Sequence, residues 1–165
     1  MNPALPSKDE VVRDLIDLVR EQVEAAEKAL SEARAGISSG DERARNRGER
    51  GVIQEKAWLM SALEERLGSL DRKLNLLKQE KHPASDAAGR GSLVALEFEE
   101  TGRQVGFFFI HPDLGGETVT VGGLKVVAVS PQAPVGRALM GKAMDDEVEI
   151  RLEDKVRRAI VTGLK

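Results

Sequence analysis

The chain has no cysteine and no tyrosine among its 165 residues, and only one tryptophan and four phenylalanines. Without cysteine there is no disulfide scaffold, no thiolate metal site, no thiol nucleophile and no redox sensor. Charge of one sign is also lacking. The 25 Lys and Arg stand against 28 Asp and Glu, a net charge of −3, so no basic excess marks a nucleic-acid coat. Long apolar runs are missing too: nothing approaches the roughly 18 consecutive apolar residues of a membrane span, and Met1 to Ser7 has no apolar h-region. The expectation is a protein of one or two small domains in the cytoplasm.

Proline is absent over a long stretch. All of it sits at Pro3, Pro6, Pro83, Pro112, Pro131 and Pro134, which leaves residues 7 to 82 free for long helices. Within that stretch Val12, Ile16, Val19, Val23, Ala26, Leu30, Ala33 and Ile37 follow one another at alternating steps of 4 and 3, a heptad seam. Ser38, Ser39 and Gly40 interrupt it. Beyond Gly48 and Gly51 a second seam runs through Met60, Leu63, Leu67, Leu70, Leu74 and Leu77. Two seams of similar length around a Gly-rich break predict an antiparallel helical hairpin; the break near the midpoint favours folding back over a parallel dimer. At 1.5 Å per residue each arm reaches on the order of 45 Å.

The second half holds every Phe and eleven of the sixteen Gly. Short β-rich runs predict strands at Leu93–Glu99, Gln104–Ile110, Thr118–Val121, Leu124–Val129, Glu147–Leu152 and Val156–Leu164. Glu147 to Leu152 alternates strictly, one face wet and one dry. Gly122-Gly123 predicts a hairpin turn, with others at Gly102 and Gly115-Gly116. Between strands, Ser130 to Gly141 predicts a short helix with Ser130 as N-cap, Pro131 in its first position and Gly141 as its stop. The domain division that follows is a helical hairpin over residues 1–81 with its tip at about 38–51, a linker over 82–91, and a β domain over 92–165. The fold class is α+β.

Few residues offer chemistry of their own. His82 and His111 lie 29 residues apart without companion ligands, so a structural or solvent-exposed role is expected. Trp58 is expected to cover an edge of the second seam, with an exposed partner contact as the alternative. Phe107 to Ile110 should place alternate residues in the sheet core, and an outward Phe108 would be a docking patch. The glycine pairs lack the Lys-Ser/Thr of a phosphate loop, and no nucleophile elbow, zinc spacing or dinucleotide fingerprint is present.

The run Ser130-Pro131, Val135-Gly136-Arg137-Ala138-Leu139-Met140-Gly141-Lys142 and Asp146-Glu147-Val148-Glu149-Ile150 resembles the Gre (GreA/GreB) family of bacterial transcription elongation factors. That family carries a Ser-Pro, a small-residue helix ending in Leu-Leu-Gly-Lys, and an acidic turn into a strand. The resemblance spans nearly the whole chain, although the hairpin matches in architecture more than in residues. It implies a C-terminal domain similar to the FK506-binding-protein fold, docking on the rim of the RNA polymerase secondary channel, with the hairpin extending toward the active site. Ser130, Pro131, Arg137, Lys142 and Asp146 are then the docking candidates; read alone they are a cap and a solvated turn.

In cleavage-stimulating members an Asp-x-x-Glu-Asn tip helps hold a second Mg²⁺ at the polymerase active site, chemistry that needs paired oxygen ligands. Here the tip departs from that pattern. Asp41 falls where the family's Asp does, but Ala44 replaces the Glu and Arg45 the Asn. Residues 41 to 50 carry Asp41, Glu42 and Glu49 against Arg43, Arg45, Arg47 and Arg50, a local charge of +1 where a metal-recruiting tip would be acidic. Read alone these arginines are a solvated loop. Within the resemblance they are a basic tip facing polymerase carboxylates, nucleotide phosphates or extruded RNA. The expectation is a monomeric, non-enzymatic, channel-occupying regulator with no cofactor of its own. Asp41, with Glu42 or Glu49, is left as the one candidate for sharing the polymerase Mg²⁺, and nucleic acid is met only through the polymerase. The alternatives are a true cleavage factor and a coiled-coil scaffold for another protein. Peptidyl-prolyl isomerase activity is disfavoured because this half has neither Tyr nor Trp to line such a pocket.

Overall fold

The computed structural model describes residues 4–41, 49–101, 104–152 and 154–165. Two long helices, α1 (Lys8–Asp41) and α2 (Glu49–Gln79), precede six strands: β1 (Leu93–Phe98), β2 (Gln104–Ile110), β3 (Thr118–Val121), β4 (Leu124–Val129), β5 (Glu147–Leu152) and β6 (Lys155–Leu164). A 3₁₀ turn (Glu99–Thr101) follows β1, and a short helix, α3 (Pro134–Leu139), separates β4 from β5. The strands stand within a residue of where alternation and turn residues put them. The chain divides into two compact units, one of residues 16–78 and one of residues 1–15 with 79–165.

Helix α1 opens on a capping box, Ser7-Lys8-Asp9-Glu10. The Ser7 hydroxyl accepts the Glu10 N–H at 3.4 Å, its carbonyl accepts that of Val11 at 3.0 Å, and Asp9 and Glu10 face the positive end of the helix. In the hairpin unit Val19, Val23, Ala26 and Leu30 are buried from α1, and Leu70, Leu74 and Leu77 from α2. Arg34 donates to Glu64 across the pair at 2.9 Å. Seven residues separate the helix ends, and at no more than about 3.6 Å each they cannot return the chain along an arm of about 45 Å, so the helices run antiparallel.

One part of the expected seam is displaced. Val11 and Leu15 are fully buried, while Val12 and Ile16 are only half-buried. The first two turns of α1 belong to the sheet unit, so they obey a different partner from the rest of the helix.

The sheet has the order β3-β4-β2-β1-β6-β5, antiparallel throughout except for β2 against β4. Gly122 and Gly123, at φ +57° and +80°, make the tight turn from Val121 to Leu124 that needs two left-handed residues. Central β1 is buried on both faces. Its Val94, Leu96 and Phe98 join Ile110, Val129, Leu139, Val148, Ile150, Ala159 and Val161 in one core. Phe107 and Phe109 are buried as expected, but Phe108 packs against this core and is not an outward docking patch. The reason is that both faces of β2 are covered, so alternation here selects between two dry sides.

Candidate functional site

The residues that carry the family resemblance form one backbone-tied surface. After β4 the chain turns at Ser130, whose carbonyl and hydroxyl both accept the Ala133 N–H, at 3.1 and 3.2 Å. Helix α3 therefore begins later than expected, with Ala133 at the N-cap and Pro134 in the first turn; Ser130 caps the turn before the helix, and Pro131 lies in that turn. A Cβ on Gly136 would stand 1.9 Å from the Ser130 carbonyl oxygen, so only glycine lets the helix lie on this turn. The helix ends as expected at Gly141, which takes φ +78°.

Two short hydrogen bonds lock the end of α3 in place. Gly141 N–H donates to the Ala88 carbonyl and Ala88 N–H to the Lys142 carbonyl, both at 2.7 Å. The Asp146 carboxylate accepts the Ala143 N–H at 2.8 Å, and Val161 N–H donates to the Asp146 carbonyl at 3.0 Å. Ser130 and Asp146 thus spend their side chains on the backbone, whereas Arg137 is exposed and Lys142 half-buried at the rim. Met140 and Met144 are exposed beside them.

Two shallow grooves flank β5. One of about 350 Å³ is lined by Pro134, Arg137 and Ala138 from α3 and by Glu149 and Arg151. The other, of about 410 Å³, is lined by Lys142, Glu147, Glu149 and Arg158 among others.

Of the expected tip, only the backbone at its two ends is described. Asp41 ends α1, and Glu49 and Arg50 open α2. Their side chains, with all of Glu42, Arg43, Arg45 and Arg47, lie outside the described residues. Farther along α2, Trp58 does not cover the seam: it is 74% exposed, in company with exposed Val52, Ile53 and Leu59. Two residues before the Met60 seam position, it stands about 200° round the helix from it.

A second cluster was not foreseen. His111 is fully buried, and the rings of His82 and His111 stand 6.0 Å apart although the two residues are 29 positions apart in the chain. His111 Nδ1 accepts the Asp113 N–H at 3.2 Å, so the proton of the neutral ring sits on Nε2, which donates to Glu80 at 2.8 Å. Arg90 approaches the other Glu80 oxygen at 3.8 Å. Phe109 stacks on His111 and receives His82 edge-on. Burial first, then the neighbouring His111, holds His82 below the ordinary imidazole pKa, with Glu80 opposing. Lys8 donates to the Pro83 carbonyl at 3.1 Å, and burial lowers its ammonium pKa. Period-2 alternation from Phe107 through Phe109 to His111 was the one signal that could have placed His111 inside. Among the described residues no group of three His, Cys, Asp or Glu is arranged to hold a metal ion, and no helix is long and apolar enough to cross a membrane.

Among solved structures, the chain is similar to GreA factor homolog 1 (Gfh1) of Thermus thermophilus, at 19% identity over 91% of this chain and 94% of that one, with a TM-score of 0.37. It is likewise similar to Gfh1 of Thermus aquaticus, at 18% identity over 90% and 92%, with a TM-score of 0.39. A transcription elongation factor GreA/GreB from Nitrosomonas europaea matches at 20% identity over 59% of this chain and 79% of that one, with a TM-score of 0.36. No protein-family model and no curated protein matches the chain.

Proposed function

We propose that the chain is a Gre-type regulator of bacterial transcription, a cytoplasmic monomer without chemistry of its own. It docks on RNA polymerase through the surface around α3 and extends its hairpin into the secondary channel. The observation that supports this reading best is that the run from Ser130 to Ile150, which carries the family resemblance, folds as a single tied piece around Gly136 and Ala88. The hairpin adds reach: helices of 34 and 31 residues are about 50 and 46 Å long. A tip with Ala44 in place of a Glu and Arg45 in place of an Asn, and a local charge of +1, argues against recruiting a second Mg²⁺. On this reading any Mg²⁺ involved is the polymerase's own, and the arginines occupy the channel.

Purified protein mixed with immobilised, backtracked polymerase complexes tests the reading. The expected result is retention of the protein at low salt with no efficient shortening of the RNA. Efficient shortening that Asp41→Ala abolishes would make it a cleavage factor instead. Failure to bind polymerase would leave the scaffold reading.

A further inference from the structure

Lys8 is the first residue of α1, with Ser7 before it as the cap. The side chain lies against the linker, where Nζ donates to the Pro83 carbonyl at 3.1 Å. That contact is with a neutral oxygen, and it holds the amine half-buried. No carboxylate comes within ion-pair reach of Lys8 among the described residues, and neighbouring Asp9 acts on it only from farther away. The ammonium is thus partly desolvated and unpaired, and it sits at the helix end whose peptide dipoles repel a cation.

Each of these conditions works against the ammonium and in favour of the free amine. Burial lowers the Lys8 pKa, with Asp9 opposing. A lysine becomes a nucleophile only once it has lost its proton, and desolvation without a carboxylate partner brings that loss closer to neutral pH. The nitrogen is also within reach of a reagent, because its bond to Pro83 lies at the surface. A neutral amine keeps that bond through one N–H and still presents its lone pair.

We infer that Lys8 is a site of Nε-acylation by a small activated acyl donor of the acyl-phosphate class. The neutral amine attacks the acyl carbon, the bond from that carbon to the phosphate oxygen breaks, phosphate leaves, and the proton lost from nitrogen passes to solvent. Half-burial favours a small donor over a bulky one. The product suits the place better than the ammonium does: an amide has no charge to desolvate or to meet the positive end of α1, and its one N–H can still donate to the Pro83 carbonyl. Acylation therefore removes a positive charge beside the linker while keeping the contact that ties the start of α1 to it. The inference stands apart from the polymerase reading, since it rests on the amine and its surroundings alone.

The test incubates the full chain with acetyl phosphate at about pH 7.5, with and without denaturing guanidinium chloride, and reads the acetylation rate at each lysine by mass spectrometry of the digested protein. In the folded chain Lys8 should react at least about threefold faster than the exposed Lys28 and Lys125. In denaturant, where burial and helix are both gone, the three rates should converge. With rising pH the Lys8 rate of the folded chain should level off below the ordinary lysine value of 10.5. Three results would overturn the inference: a folded-state rate at Lys8 no higher than at Lys28 and Lys125, a preference for Lys8 that survives in denaturant and so belongs to the local sequence, or a Lys8 rate that goes on climbing past pH 10.5.

Discussion

The half-buried ring of His82 is closely bounded at both of its nitrogens. A Cβ on Gly91, at φ +80°, would stand 2.5 Å from its Nδ1, and its Nε2 is buried without a hydrogen-bond partner. His111, Glu80 and Lys8 are the titratable groups around it. A base whose folded pKa lies below its unfolded value of about 6.5 binds more protons when unfolded. Unfolding free energy therefore rises with pH between the lowered value and 6.5, and this part of the stability is lost as pH falls through that window. The expected outcome, read by urea denaturation at about pH 5.5 and pH 7.5, is that His82→Phe loses less stability on acidification than the parent. At the higher pH the variant should be as stable or more so, because it removes an unpaired buried nitrogen. An acid slope unchanged by the substitution would mean that the sensitivity lies elsewhere.

Helix and strand differ in how much they disclose about their surroundings. The strands could be placed from the chain alone because each is short, alternates, and is bounded by a turn residue whose backbone demand is local, as at Gly122 and Gly123. The first turns of α1 could not, since a heptad period presumes one partner, and Val11 and Leu15 belong with the sheet unit while Val19 to Leu30 belong with the hairpin. The site was half legible for the same reason. Ser130, Gly136 and Gly141 act on nearby backbone, whereas the His82–His111 pair exists only through the fold. Within the hairpin, buried leucines outweigh the visible ion pair. Leu74→Ala should cost about 2–4 kcal/mol by removing buried methyls and leaving a cavity. Arg34→Ala should cost no more than about 1 kcal/mol, since both its side chain and that of Glu64 are at least half exposed. Chemical denaturation of the two variants decides the order, and a larger loss from Arg34→Ala would mean that the pair is not solvent-screened.

At the scale of the molecule, stability is distributed unevenly along the chain. Central β1 is buried on both faces and bonded on both edges, between β2 and β6. The stretch of α2 from Gly51 to Leu59 has no buried residue at all and leaves Val52, Ile53, Trp58 and Leu59 in solvent. Helical stability in water comes mostly from packing an apolar face, and propensity alone holds a segment of this length weakly. Amide exchange should therefore show a gradient along α2: weak protection over Gly51–Leu59, stronger from Leu70 through Leu77, and protection approaching the global limit in Leu93–Leu96. Mass spectrometry of exchanging peptides reads this directly. The same exposed apolar stretch gives a bound partner something to cover, so under the proposed docking to polymerase its protection should rise more than that of any segment of β1. Protection already uniform along α2 in the free chain would refute the gradient and show that this end of the hairpin is held by its own packing.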